Sequence, residues 1–352
     1  MKKVKFFIDD IPVEGSQDES IWTVAKRYGT TLPHLCYSDK PGYRADGNCR
    51  ACMVSVEGER VLAASCIRTP SEGMKVYTKD ERSSKSREMV IELLVTDQPK
   101  KEICHDPDSH FWQMADKVNV KKSRFDKRNP ETIPEADNSH VAMSVNLDAC
   151  INCNLCVRAC REVQVNDVIG MGNRGHTSQV IFDFNDPMGD STCVSCGECV
   201  QACPTGALME SNLLDEKGKK VVKPDRKVDS LCPYCGVGCQ LTYNIKGEKI
   251  VSVDGRDGPA NNNRLCVKGR FGFDYIHNPE RLTKPLIRKD GIPKDPKERI
   301  DPLNPLSHFR EATWDEALDL AANKLLKIRD SKNGKKALAG FGCAKGSNEE
   351  AY

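Results

Sequence analysis

Cys150-Ile-Asn-Cys-Asn-Leu-Cys-Val-Arg-Ala-Cys160 and Cys193-Val-Ser-Cys-Gly-Glu-Cys-Val-Gln-Ala-Cys203 carry one spacing written twice, C-x2-C-x2-C-x3-C, with 43 residues between their starts. A repeat of this kind marks the internal duplication of one structural unit. Thiolates are soft ligands that suit iron and sulfide, and each run supplies enough of them for an iron-sulfur core. Zinc gives no reason for two identical triple-cysteine runs, because its structural sites are built from four ligands in pairs. The remaining composition agrees with clusters acting as staples. The chain has 352 residues, 18 cysteines, 38% apolar residues and a formal net charge of +2. One large core would need more apolar content, so several small domains are expected, and small domains need cross-links. The opening Met1-Lys-Lys-Val-Lys-Phe-Phe-Ile-Asp-Asp holds neither a signal-peptide core nor a twin-arginine signal. No stretch approaches the roughly 18 apolar residues of a membrane span. The expected location is the cytoplasm, where thiols stay reduced and clustered cysteines read as metal ligands. The near-neutral charge balance offers no case for nucleic acid as a partner.

Two more cysteine sets flank the duplication. Cys36, Cys49, Cys52 and Cys66 are separated by twelve, two and thirteen residues, and the loop Asp46-Gly-Asn-Cys-Arg-Ala-Cys is small enough to wrap an inorganic core. These gaps fit structural zinc poorly and differ from the plant-type C-x4-C-x2-C ferredoxin. Cys232, Cys235, Cys239 and Cys266 lie in Leu231-Cys-Pro-Tyr-Cys-Gly-Val-Gly-Cys and Leu265-Cys-Val-Lys-Gly-Arg. Taken alone, this last set is compatible with a zinc ribbon as well as with a cluster. Cys104 and Cys343 remain outside the sets. One thiolate with His105 and His110 cannot complete a cubane's ligands, and Cys343 on a Gly-rich turn reads as a small buried residue.

Residues 1–78 read as a small mixed domain. Strands are expected at 3–9, Ala51 to Val56 and Gly73 to Thr78, with a helix after Ser20 that buries Ile21, Val24, Ala25 and Tyr28. Residues 79–140 form a connecting segment with a helix over 81–96 whose apolar side is Met89, Val90, Leu93 and Leu94. The duplicated unit occupies 141–215, a linker 216–224 and the fourth cysteine set 225–290. Residues 291–352 look like the opening of an α/β domain. Thr313 and Glu316 open a helix with capping-box spacing that buries Trp314, Leu318, Ala321 and Leu325. A strand from Lys336 to Phe341, a Gly-rich turn and a helix starting at Ser347 follow. The whole is an α+β multidomain protein.

The two triple runs resemble the bacterial two-cluster ferredoxins, in which the fourth cysteine of each run crosses to the other cluster. That resemblance implies one 4Fe-4S cluster on Cys150, Cys153, Cys156 and Cys203, and a second on Cys193, Cys196, Cys199 and Cys160. Pro204 fits the pattern, and Arg161 departs from it without touching a ligand. Residues 1–78 resemble the N-terminal β-grasp 2Fe-2S domain shared by the complex I large subunit, iron-only hydrogenases and some formate dehydrogenases. Relatives with this N-terminus place a cluster site of one histidine and three cysteines in the region of residues 97–110, and here it is degenerate. The phrases Cys266-Val-Lys-Gly-Arg-Phe-Gly, Trp314-Asp-Glu-Ala-Leu and Gly342-Cys-Ala-Lys-Gly-Ser-Asn-Glu-Glu resemble the entry to the molybdopterin oxidoreductases. Residues 141–352 are most similar to the catalytic α subunit of cytoplasmic molybdenum- or tungsten-dependent formate dehydrogenases.

That resemblance implies one 2Fe-2S and three 4Fe-4S clusters, and in the full-length enzyme a Mo or W ion held by bis-molybdopterin guanine dinucleotide. Lys268 would be an electron relay between the cluster of Cys232 to Cys266 and the pterin, and Lys345, Ser347 and Asn348 pterin contacts. Formate and CO2 would be the substrates, and the metal-ligating residue would lie beyond Tyr352, so that these residues alone would not turn formate over. The partner would be a flavin- and NAD-binding diaphorase-type subunit or another ferredoxin-like redox protein. The alternatives are a naturally short electron-transfer subunit or a complex I large-subunit-like protein. An iron-only hydrogenase gives no reason for the Cys232 to Cys266 set.

Overall fold

A computed structural model describes residues 2–127, 133–295 and 297–342. The chain divides into two units, the first made of Met1–Cys232 and Gly238–Phe271, the second of Pro233–Val237 and Gly272–Tyr352.

The first unit begins with a five-stranded sheet. Strands β1 (Lys3–Ile8), β2 (Ile11–Ser16), β3 (Met53–Val56), β4 (Ala63–Ala64) and β5 (Lys75–Tyr77) lie in the order β2-β1-β5-β3-β4. β1 runs parallel to the central β5 and antiparallel to β2. Period-2 alternation puts Val4, Phe6 and Ile8 on the buried face, where helix α1 (Ile21–Arg27) covers them. The Ser20 side chain accepts the Thr23 backbone N–H and starts α1. Ile21, Val24 and Ala25 are buried as the periodicity expects, whereas Tyr28 is the C-cap and half-exposed. β2 had no sequence expectation, because Pro12, Glu14 and Gly15 break its alternation.

Helices α2 (Glu81–Thr96) and α3 (His110–Lys117) follow. The expected apolar face of α2 is met only in part: Val90 and Leu94 are half-buried and pack against the core. Its buried residues are Ser83, Arg87, Ile91 and Val95, while Leu93 is exposed. The guanidinium of Arg87 donates to the carbonyls of Met53 and Thr78, which holds the Ser83 and Arg87 edge of the helix inward. Ile91 and Val95 pack with Phe111 and Trp112 of α3 beneath Leu35 and Ala51 of the first cysteine loop. The connecting segment is therefore a helical support under that loop.

In the duplicated unit, β6 (Met143–Val145) pairs with β9 (Leu208–Glu210), and β7 (Ile169–Gly172) pairs with β8 (Gln179–Phe182). Short helices α4 (Leu155–Arg158) and α5 (Glu198–Ala202) follow the two C-x2-C-x2-C loops. An antiparallel sheet of β10 (Arg226–Leu231), β11 (Gln240–Lys246) and β12 (Lys249–Gly255) then leads to α6 (Val267–Phe271). A side chain at Gly255 would put its Cβ 1.9 Å from the Asn263 carbonyl oxygen, so only glycine admits this approach.

The second unit contains, among its described residues, the ribbon of β13 (Leu286–Arg288) and β14 (Phe309–Glu311), then α7 (Trp314–Arg329) and α8 (Gly334–Ala337). Thr313 caps α7 by accepting the Glu316 N–H at 3.2 Å. The expected burial of Trp314, Leu318, Ala321 and Leu325 is overturned: α7 has no buried residue, and Trp314 is 65% exposed. A two-stranded ribbon and a single helical turn are too small to cover that stripe. The expected strand Lys336–Phe341 is also overturned, since Gly334–Ala337 is helical and no regular structure continues through Gly342. The expected helix at Ser347 lies outside the described residues.

Candidate metal centres

The first cysteine set is carried by the loop between α1 and β3, with Cys66 arriving after β4. Gly47 and Arg50 both take positive φ, 62° and 56°, which folds the loop tightly enough to turn several sulfurs inward. The thiols of Cys36 and Cys49, of Cys36 and Cys66, and of Cys52 and Cys66 lie within hydrogen-bonding reach of one another. Sharing protons in this way pulls the Cys36 thiol down and pushes Cys49 and Cys66 up. Cys36 Sγ also accepts the Cys49 backbone N–H at 3.4 Å, and Cys49 Sγ that of Ala51 at 3.5 Å. Four converging thiols with backbone N–H donors suit a 2Fe-2S core, in which each sulfur is a thiolate.

The two repeated runs fold alike. Asn152 and Asn154 in the first, and Ser195 and Gly197 in the second, all adopt positive φ, between 52° and 69°. Each run then enters its short helix. The Asn152 N–H donates to Cys150 Sγ and the Ser195 N–H to Cys193 Sγ, both at 3.4 Å. The fourth cysteines cross. One cavity is lined by Cys150, Cys153, Cys156 and Cys203 together with Ile151, Val180, Pro204 and Leu208. The Cys160 thiol instead interacts electrostatically with Cys193, Cys196 and Cys199. Asn166 joins this second group, its backbone bonded to the Cys160 carbonyl and its amide 3.9 Å from Cys196 Sγ. Burial raises Cys153, Cys156 and Cys199 above the usual thiol range, a cost that bound iron would remove by taking the place of the proton. Both donor sets fit 4Fe-4S cores in number, softness and burial.

In the fourth set, Cys232, Cys239 and Cys266 belong to the first unit, where the Cys232 N–H donates to the Cys239 carbonyl at 2.9 Å. Cys235 belongs to the second unit. Lys268 is exposed on α6. Cys343, Lys345, Ser347 and Asn348 lie outside the described residues. Cys104 is buried against Phe111 and Trp112. His105 bonds Asp148 and the Gly218 carbonyl, each at 2.8 Å, and His110 bonds the His34 carbonyl at 2.8 Å. Burial pulls His105 down, but the bonds to Asp148 and the Gly218 carbonyl together with the Asp148 charge outweigh it and hold the imidazolium above its ordinary value.

Sequence reasoning missed the charged residues threaded between the sulfurs. Arg158, Glu198 and Arg270 are each 1% exposed. Glu198 sits between Cys196 and Cys199. It accepts the Tyr43 hydroxyl at 2.8 Å and faces Arg270 Nη2 at 3.5 Å. Arg270 also donates to Gln201 Oε1 at 2.6 Å and to the Val253 carbonyl at 2.9 Å. Burial pushes the Glu198 carboxyl up against the pull of Arg270. One network thus joins the first cysteine loop, the duplicated unit and α6. A glutamate written inside a cysteine run was the available signal, since a carboxylate beside sulfur ligands needs a cationic or donor partner when it is buried.

Residues 1–81 match the family described as a 2Fe-2S iron-sulfur cluster binding domain, residues 149–207 a 4Fe-4S dicluster domain, and residues 225–278 a molybdopterin oxidoreductase Fe4S4 domain. An oxidoreductase of Bacillus subtilis is 28% identical over 98% of this chain and 37% of its own length. A provisionally named formate dehydrogenase of Staphylococcus haemolyticus is 28% identical over 95% of this chain and 35% of its own length. An NADH-quinone oxidoreductase polypeptide of Rhizobium meliloti is 31% identical over 92% of this chain and 35% of its own length. The chain therefore spans about a third of the length of these relatives. An NAD+-reducing [NiFe]-hydrogenase structure is similar with a TM-score of 0.53 and 25% identity, covering 59% of this chain and 87% of that one. Among the described residues, no helix is long and apolar enough to cross a membrane.

Proposed function

We propose that this chain, an iron-sulfur electron-transfer module with 2Fe-2S, 4Fe-4S dicluster and molybdopterin oxidoreductase Fe4S4 domains, serves a formate dehydrogenase. The observation that carries the electron-transfer part of the reading is the contact between sets. Cys36 and Cys49 of the first set share one buried patch with Cys153 of the duplicated unit, alongside Leu155 and Ile151. Clusters bound in adjoining sets supply one-electron carriers. The polypeptide's part is to exclude water, aim N–H groups at sulfur and fix the spacing.

The ligands we assign are Cys36, Cys49, Cys52 and Cys66 for the 2Fe-2S cluster. Cys150, Cys153, Cys156 and Cys203 take one 4Fe-4S cluster, and Cys160, Cys193, Cys196 and Cys199 another. Cys232, Cys235, Cys239 and Cys266, assigned on spacing, take the third. Lys268 follows the last of these ligands and is the residue we place toward a pterin. Lys345, Ser347 and Asn348 keep their proposed pterin role on sequence alone. The substrate proposed for the whole protein is formate, with CO2 as product, at a Mo or W centre outside these residues. The provisional name of the Staphylococcus relative supports this, and the hydrogenase likeness supports an NAD-linked partner subunit. A cytoplasmic location follows from that reading.

A second reading, a role in NADH oxidation, is favoured by the Rhizobium relative at 31% identity. Anaerobic isolation of the native protein with its partner subunits separates the two. Formate should generate the reduced-cluster EPR signals under the first reading. Reduction by NADH with no response to formate would replace it with the second.

A further inference from the structure

We propose that Arg158 is the positioning residue of the junction between the first cysteine set and the duplicated unit, fixing Cys36 against Cys153 and setting the charge between them. The inference rests on the cluster assignments above. Arg158 closes α4, two residues after Cys156, and is 1% exposed. A charge buried so deeply is retained only where its donors are used. Its Nη2 donates to the Cys36 carbonyl at 2.6 Å and to the Cys153 carbonyl at 3.3 Å. Nη1 donates to the Arg44 carbonyl, and Nε to the Asn154 carbonyl at 3.3 Å. Nε also pairs with Asp46 Oδ2 at 3.1 Å.

One nitrogen thus touches the backbone of a ligand from each set. The Asn48 amide adds a second tie, donating to the Cys153 carbonyl at 3.5 Å. The planar five-donor fork of arginine reaches these carbonyls together, and the ammonium of lysine cannot. Two quantities follow from one side chain: the separation of the two loops, set by the fork, and its share of the local potential, which it sets together with the Asp46 carboxylate and the Arg44 guanidinium that also pairs with Asp46.

The test separates them on anaerobically reconstituted chain with EPR-monitored redox titration. Arg158→Gln loses fork and charge. It should weaken the magnetic coupling between the two centres and make both harder to reduce, lowering the reduced-to-oxidised ratio at fixed poise roughly tenfold, about 59 mV for one electron. Arg158→Lys keeps the charge, so potentials should stay near wild type while coupling weakens. Asp46→Asn keeps the fork and removes the counter-charge, so reduction should become easier with coupling unchanged. A residue that only stabilises the fold would leave the coupling unchanged in Arg158→Lys and the potentials unchanged in Arg158→Gln. Unchanged coupling in Arg158→Lys, or unchanged potentials in Asp46→Asn, overturn the proposal. Should Arg158→Gln fail to load its clusters, these two variants still decide. Failure of the underlying assignment looks different: wild-type chain would lack the 2Fe-2S signal, or Cys153→Ser would leave every signal intact.

Discussion

Glu210→Gln should stabilise the protein at pH 8 and scarcely change it at pH 5. Glu210 ends β9 and is 6% exposed, and its Oε2 has no hydrogen-bond partner among the described residues. Burial raises its carboxyl to about 7. Arg270 and Lys220 pull it down and Asp254 pushes it up, and the charges do not offset the desolvation. A carboxyl raised in the folded state binds its proton more tightly there than in the unfolded chain. The associated stability is fully present below the unfolded value of about 4.5 and is lost as pH rises to about 7. Two and a half units correspond to roughly 3 kcal/mol lost at pH 8, against less than about 1 kcal/mol at pH 5. Glutamine keeps the shape without the ionisation. The gain at pH 8 should raise the melting temperature by roughly 6–12 °C for a unit of this size. Anaerobic thermal denaturation by circular dichroism at both pH values reads the difference. An equal shift at pH 5 and pH 8, or a lower melting temperature for the variant at pH 8, refutes the argument, because a packing effect would not follow the proton.

Arg270→Ala leaves the Glu198 carboxylate buried with only Tyr43 as donor among the partners described, and should cost about 3–5 kcal/mol. Adding Glu198→Gln should recover part of that loss, and chemical denaturation of the double variant measures it; a strictly additive pair would mean the two side chains do not interact. Cys160→Ser should perturb the EPR signal of the cluster on Cys193, Cys196 and Cys199 more than that on Cys150, Cys153 and Cys156, and the reverse order would undo the crossed assignment. Reconstituted chain should hold about 14 iron atoms. A reproducible count near 18 would mean that the segment around Cys104 binds a further cubane.

The cysteine loops were legible because their chemistry and geometry are written together. A C-x2-C turn must reverse tightly around its metal, and Asn152, Asn154 and Gly197 tolerate the positive φ that this requires. The Ser20 and Thr313 caps were legible for the same reason, a local hydrogen bond with a fixed spacing. What failed lay on α2 and α7, where the covering surface decides the face, although the same reading held for Ile21, Val24 and Ala25 on α1. Periodicity marked an apolar stripe on α7 and could not say that the described residues around it leave Trp314 in solvent. On α2 the pattern found Val90 and Leu94, which do pack, but missed Arg87, which carries a charge and yet is buried, a combination that pattern reading scores as exposed.

The same blindness hid the residues that join the sets. Arg158, Glu198 and Arg270 drew no reading from the sequence, and each is as buried as the core around it. Apolar packing could hold these loops together, but it is non-directional and would tolerate small sliding of one loop on another. Guanidinium forks on named carbonyls would not, because a shift of an ångström forfeits several bonds and leaves a buried charge exposed to its full desolvation cost. For a module whose task is to keep cofactors at fixed separation, the expensive interaction is the informative one. The buried charges mark where relative position is held, at Cys36 against Cys153 through Arg158, and at the second cysteine run against α6 through Glu198 and Arg270.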